Sequence, residues 1–202
     1  METKVLYFDV ETTGRSADKN DITQISGIVE IGGKVAETFN LRCQPFSYEN
    51  IEPEALEITG VSLDQLKSFP TPQEAFRDLL AVFDRHIDKY DKADKFTPAG
   101  YNVRFDLDFL QQFFIKNGQK YGSGSYQNWR AIDALPICHF LNYCGGIDLL
   151  DYKLGTVCEH YGIPIQAHDA MSDINATREL LLKLRQILTM GTDDLPNLAE
   201  VL

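Results

Sequence analysis

Several features that would place a protein quickly are missing from this chain. No window approaches 18 uninterrupted apolar residues, which excludes a membrane-spanning helix. Met1 to Val10 lacks a basic segment followed by a hydrophobic run, so no secretory signal is read there. No stretch rich in Pro, Gly and Ser is long enough to act as a linker, and no internal repeat is visible. Basic residues are in deficit: 19 Lys and Arg face 30 Asp and Glu, a net charge of −11. Gripping long duplexes through many phosphates needs the opposite balance, because Lys and Arg must displace counterions. Contact with a few nucleotides at a strand end stays compatible with that charge. The four cysteines, Cys43, Cys138, Cys144 and Cys158, include no Cys-x-x-Cys pair. Together with His139 and His160 they match no familiar zinc spacing, and they read as reduced thiols packed as small hydrophobes. The expectation is a soluble, cytoplasmic protein without membrane association.

What is present suffices for one core. A chain of 202 residues, 44% hydrophobic, can bury about 70% of its unfolded surface as a single domain. Lys4 to Val10 predicts a buried strand that breaks at the polar Glu11-Thr-Thr-Gly14. Gln24 to Ile31 and Lys34 to Leu41 predict two strands joined at Gly32-Gly33 as a hairpin. Pro53 to Thr59 predicts one or two helical turns ended by Gly60. Thr71-Pro-Gln-Glu74 is a capping box that opens a helix with Ala75, Phe76, Leu79, Leu80, Phe83 and Ile87 on one face. A fourth strand is expected within Lys95 to Tyr101 and a helix over Asp106 to Asn117, with Leu107, Leu110, Phe113 and Phe114 inward. Gly118 to Tyr126 reads as a flexible surface loop, and Arg130 to Ile132 as a short fifth strand. Helices are expected from Asp133 to about Leu141, from Leu149 to Tyr161, and from Ala170 to Thr189, the last with Leu180, Leu181, Leu184, Ile187 and Leu188 at helical spacing. This order predicts an α/β fold, a mixed sheet covered by helices, over residues 1–189. Residues 190–202 are read as a short C-terminal tail.

Three short segments, far apart in sequence, carry the chemistry. In Phe8-Asp9-Val10-Glu11 the alternation of a strand puts Asp9 and Glu11 on one face. Two carboxylates side by side repel by a few kcal/mol at about 4 Å with an effective dielectric near 20, so a cation or a shared proton must offset them. A plain polar strand end is the competing reading. Asp106, in Asn102-Val-Arg-Phe-Asp106, follows a strand and opens a helix, where it could equally be an N-cap. Asp173, in His168-Asp-Ala-Met-Ser-Asp173, sits in the first turn of the last helix, where the dipole alone would favour an acid. Together the segments bring four carboxylates toward one sheet edge, an all-oxygen site suited to Mg²⁺ or Mn²⁺. Two such ions would clamp the attacking and leaving oxygens of a phosphoryl displacement. His168, with an ordinary pKa of about 6.5, suits proton transfer from an attacking water.

The three segments resemble the three exonuclease motifs of the DEDD superfamily in its His-containing branch, with the proofreading epsilon-subunit family of DNA polymerase III as the nearest likeness. Phe-Asp-x-Glu-Thr-Thr-Gly, Asn-x-x-Phe-Asp and His-x-Ala-x-x-Asp occur in the family's order, and the likeness spans about residues 4 to 188. The resemblance implies a ribonuclease-H-like mixed five-stranded sheet flanked by helices and a 3′-5′ exonuclease acting on single-stranded nucleic-acid 3′ ends. It implies that Asp9, Glu11, Asp106 and Asp173 hold two divalent cations, Mg²⁺ or Mn²⁺, with His168 as general base and Glu11 counted beside it among the catalytic groups. Thr12, Thr13, Glu54 and Thr59 match positions near the terminal nucleotide. Tyr101 and Thr59 stand where many relatives have His, which bears on substrate fit.

DNA is the favoured substrate, with proofreading or repair as the setting, although the motifs do not separate DNA from RNA because both present the same phosphodiester and 3′-hydroxyl. An RNA-trimming exoribonuclease and a non-catalytic interaction module with the same fold are the alternatives. Arg15, Arg104, Lys153 and Arg178 read more as solvated charges than phosphate contacts, and Trp129 as packing. The tail can dock as a linear segment on a DNA polymerase partner, though none is expected to be obligatory.

Overall fold

Strand β1 (Lys4–Thr12) runs through the middle of the molecule, and its alternation builds two cores at once. Leu6, Phe8 and Val10 face one apolar cluster, while Val5 and Tyr7 face another. The computed structural model describes residues 2–166 and 170–189. β2 (Ile22–Ile31) and β3 (Lys34–Arg42) pair antiparallel with β1 and each other, whereas β4 (Thr97–Gly100) and β5 (Ile132–Asp133) add parallel on the other side. The strand order is β3-β2-β1-β4-β5, the mixed five-stranded sheet expected. Gly27 faces Phe39 across β2 and β3; a Cβ there would stand 2.4 Å from the ring, so the glycine makes room for it.

On one face lie α3 (Pro72–His86) and α4 (Arg104–Lys116), which press Phe76, Phe83, Phe113 and Phe114 against the sheet. On the other lie α5 (Ala134–Tyr143), α6 (Leu154–His160) and α7 (Ala170–Thr189). The short α1 (Pro53–Thr59) and α2 (Leu63–Ser68) sit between β3 and α3. Both sides of the Thr71 capping box are made, and Gly60 ends α1 in the left-handed region with φ 66°.

Several expectations are corrected. β1 does not break at Glu11 but carries it, and the register slips between Glu11 and Thr12 as a bulge. α2 was not expected, although Ser62 and Gln65 form a complete capping box. α6 begins at Leu154 rather than Leu149. Asp151 takes the Lys153 amide and the Thr156 hydroxyl, which holds the preceding chain in a turn and leaves Leu150 fully exposed. Residues 118–126 are not a loose loop: Gly122–Ser125 forms a 3₁₀ turn anchored by Gln111 to Ser123, and Tyr126 is buried. Leu107 is only half-buried, and Phe109 takes the core position beside Leu110. Ile187 and Leu188 are exposed because the apolar face of α7 is covered only as far as Leu184. Trp129 does not pack inside; it is 83% exposed, with the Arg130 guanidinium 5.2 Å over its ring, since no layer covers the chain leading into β5. Cys43, Cys138 and Cys158 are buried free thiols and Cys144 is exposed. Among the described residues no helix is long and apolar enough to cross a membrane. The tail, 190–202, lies outside the described residues.

Candidate active site

The parallel strands β1 and β4 end at the same rim, and α4 starts from it. Asp9 shares the sheet face of Val5 and Tyr7, the face that α7 covers, and lines a cavity of about 200 Å³ with Asp173, Tyr101 and Thr177. Asp106 is 4% exposed and arrives from the other layer. It does not cap its helix: α4 begins at Arg104, and Asp106 Oδ1 instead accepts the Val10 amide at 3.0 Å. That bond fastens α4 to the β1 residue lying between Asp9 and Glu11. Asp108, two places on, points away to an exposed pair with Arg104.

Electrostatics tie the four acids together. Burial drives the Asp9 carboxyl well above its ordinary range, and Asp106, Glu11 and Asp173 push it further in that order. Asp106 is pushed up to about 8, first by burial, with Glu11 and Asp133 adding to the rise and the amides of Val10 and Asp106 opposing it. Four acids held within one another's field, in a largely dehydrated setting, are stable with a cation or a proton between them. Among the described residues no three His, Cys, Asp or Glu side chains already form a closed metal cluster. The acids therefore share a field without a finished cage. The four side chains are all carboxylates, a donor chemistry that suits hard cations better than zinc.

Beside Asp9 and Glu11 opens a groove of about 450 Å³, lined by Glu11, Thr12, Arg15, Glu54, Ile58, Thr59 and Phe105 among others. Three of the four residues expected to meet a nucleotide, Thr12, Glu54 and Thr59, line it. Thr13 does not. It is fully buried, and its hydroxyl accepts the Asp21 amide at 2.9 Å, so it braces the turn behind the groove wall. Glu52 completes that brace: its amide donates to the Thr13 carbonyl and its carboxylate accepts the Arg15 amide. The apolar walls Ile58 and Phe105 were not read from sequence as site residues; their place beside the carboxylate motifs was the available signal. Arg178 is engaged by Glu30, 2.7 Å from its Nε, and ties α7 to β2. Tyr101, where many relatives have His, donates its hydroxyl to the Tyr152 carbonyl. His168 lies outside the described residues, so its expected role is not located.

The sequence profile of the RNase_T exonuclease family matches residues 6–181, nearly the whole of this fold. The chain belongs to that exonuclease family. Its fold is that of Escherichia coli exonuclease I, whose structure with a dT13 oligonucleotide superposes with a TM-score of 0.73 at 22% identity, covering 93% of this chain and 42% of that one. The exonuclease is 28% identical over 185 residues to a PolC-type DNA polymerase III of Halalkalibacterium halodurans, covering 91% of this chain and 11% of the polymerase. It is 26% identical over 188 residues to ribonuclease T of Photorhabdus laumondii, covering 89% of this chain and 82% of that enzyme. The chain thus spans about a ninth of the PolC-type relatives. The resemblance to DEDD exonucleases is borne out, and such enzymes in general depend on divalent metal.

Proposed function

We propose that this exonuclease removes nucleotides one at a time from the 3′ end of single-stranded DNA, using two divalent cations, Mg²⁺ or Mn²⁺, held by Asp9, Glu11, Asp106 and Asp173. The observation that carries the reading is geometric: Asp9 and Asp173 line one cavity, and Asp106 is fastened to the β1 residue between Asp9 and Glu11. The cations, when bound, would stabilise charge on the attacking and leaving oxygens. The chain's own residues do the remainder. The groove between Ile58 and Phe105 takes the terminal base against apolar walls, with Thr12, Thr59 and Glu54 offering polar contacts to the sugar and its 3′-hydroxyl. His168 takes the proton of the attacking water. Thr13 acts indirectly, by holding the turn that presents Thr12.

An RNA-trimming activity is the second reading. Ribonuclease T supports it, because the chain covers most of that relative's length rather than a small part of a polymerase. Cytoplasmic location and a polymerase partner docking on residues 190–202 are further proposals, the latter motivated by the PolC-type relatives. The deciding experiment incubates 5′-labelled single-stranded DNA and RNA with Mg²⁺, Mn²⁺ or chelator. A ladder shortening from the 3′ end, abolished by chelator and faster on DNA, is expected. Faster RNA degradation would select the second reading, and cleavage in chelator would remove the metal reading.

A further inference from the structure

Asp133 stands at the end of β5 and caps α5, with Oδ1 accepting the Leu135 amide at 3.1 Å. Capping asks nothing more of it. Yet the same Oδ1 accepts the Asn102 amide at 2.8 Å, and Oδ2 accepts the Val103 amide at 3.1 Å. These two bonds reach back to the turn between β4 and α4. That turn is a demanding one. Asn102 is the only non-glycine residue with positive φ, 57°, among the described residues. At Gly100, which pairs with Asp133 across β4 and β5, a Cβ would stand 2.9 Å from that of Val103. Asn tolerates the left-handed region better than other side chains, and holding it there fixes the direction in which the chain enters α4. One turn later the helix delivers Asp106 to the Val10 amide.

We infer that Asp133 is a positioning residue: its carboxylate clamps the Asn102–Val103 turn and so fixes where Asp106 meets β1 and the other carboxylates. This rests on the reading that Asp106 binds metal. The clamp needs an acid. Both oxygens must accept, and an amide offers one acceptor, a hydroxyl at most one oxygen. Partners that orient metal ligands typically set metal affinity by 10–100-fold.

The test uses the full chain and four variants, reading Mn²⁺ binding by calorimetry alongside the Mn²⁺ concentration that half-saturates hydrolysis of a single-stranded oligonucleotide. Asp133→Asn keeps an oxygen for the Leu135 amide and gives up the Oδ2 bond. It is expected to weaken Mn²⁺ binding by about 10–100-fold, with turnover recovering at saturating Mn²⁺. Asp133→Ser keeps the cap through its hydroxyl, releases the turn, and should shift at least as far. Thr71→Ala, which removes the cap of α3, a helix that carries none of the four acids, should lower the melting temperature and leave Mn²⁺ binding unchanged. If both Asp133 variants bind Mn²⁺ like the parent, or if Thr71→Ala weakens binding equally, the positioning role is overturned. Asp106→Asn is the separate control: parental Mn²⁺ binding there would remove the metal reading of Asp106 itself.

Discussion

At Asp106 the cost of assembling the acidic rim becomes measurable. Its ordinary pKa of 3.8 is raised to about 8, chiefly by burial. The folded state therefore holds a proton that the unfolded chain has released, and folding takes up that proton between about pH 4 and pH 8. The stability that Asp106 contributes is fully present below about pH 4 and is lost as the pH rises through about 8. In chelator the melting temperature should accordingly fall from about pH 5 to pH 8, and Asp106→Asn should flatten the decline. Added Mn²⁺ competes with the proton, so its stabilising effect should grow with pH. Thermal melts at stepped pH check this; a chelated protein that grows more stable toward pH 8 would sink it. For catalysis, Asp9→Asn and Asp173→Asn should abolish nucleotide release with circular dichroism unchanged. His168→Ala should slow release by about 10²–10⁴-fold if it is the general base, as steady-state rates at saturating Mn²⁺ would show.

At the scale of elements, α4 has two jobs: it carries Asp106 at its start and closes the aromatic layer with its last turns. Phe114 is fully buried, its ring 4.9 Å from Phe76 edge-on and 6.3 Å from Phe83 nearly parallel. Phe114→Ala should cost about 3–5 kcal/mol in urea unfolding, since the rings of α3 and α4 cannot collapse onto so large a void. Mn²⁺ binding to the folded fraction should be nearly unaffected, because the start of α4 is held by Val10 and Asp133 and not by this layer. The sequence made α3, α7 and the meander legible because caps, glycines and apolar spacing are local signals. It made Asp9 and Glu11 legible for the same reason: two residues on a strand share a face whatever the rest of the chain does. Asp106 invited an N-cap reading because its partner, the Val10 amide, is 96 residues away. Asp133 escaped notice on the same grounds, its turn partners lying 30 and 31 residues back. The delayed start of α6 depended on one Asx contact at Asp151, which apolar periodicity does not register.

At the scale of the whole molecule the question is how a chain of net charge −11 would hold the polyanion proposed as its substrate. Much of its positive charge is already committed. Lys116 is paired with buried Asp21 at 2.6 Å, Arg178 with Glu30 at 2.6 Å, and Lys4 with Asp94 at 2.5 Å. Arg85, Lys89 and Arg104 have acidic partners at the surface. Arg15 is the one Lys or Arg that lines the groove among the described residues, which Glu11, Glu52 and Glu54 also line. On the proposed reading, affinity comes chiefly from the terminal nucleotide in its groove and from bound metal. Binding to single strands loses affinity with salt at a log–log slope of about −0.7 per phosphate neutralised. For a contact limited to about two or three phosphates, the slope for a single-stranded oligonucleotide should be no steeper than about −2. Lengthening the oligonucleotide beyond the few nucleotides nearest its 3′ end should leave both slope and affinity unchanged. Titrations with labelled oligonucleotides of increasing length, in Ca²⁺ to slow turnover, test both points across a range of KCl. A slope near −4 that steepens with length would mean the strand follows charges beyond the groove, and end recognition would no longer explain how this acidic protein binds.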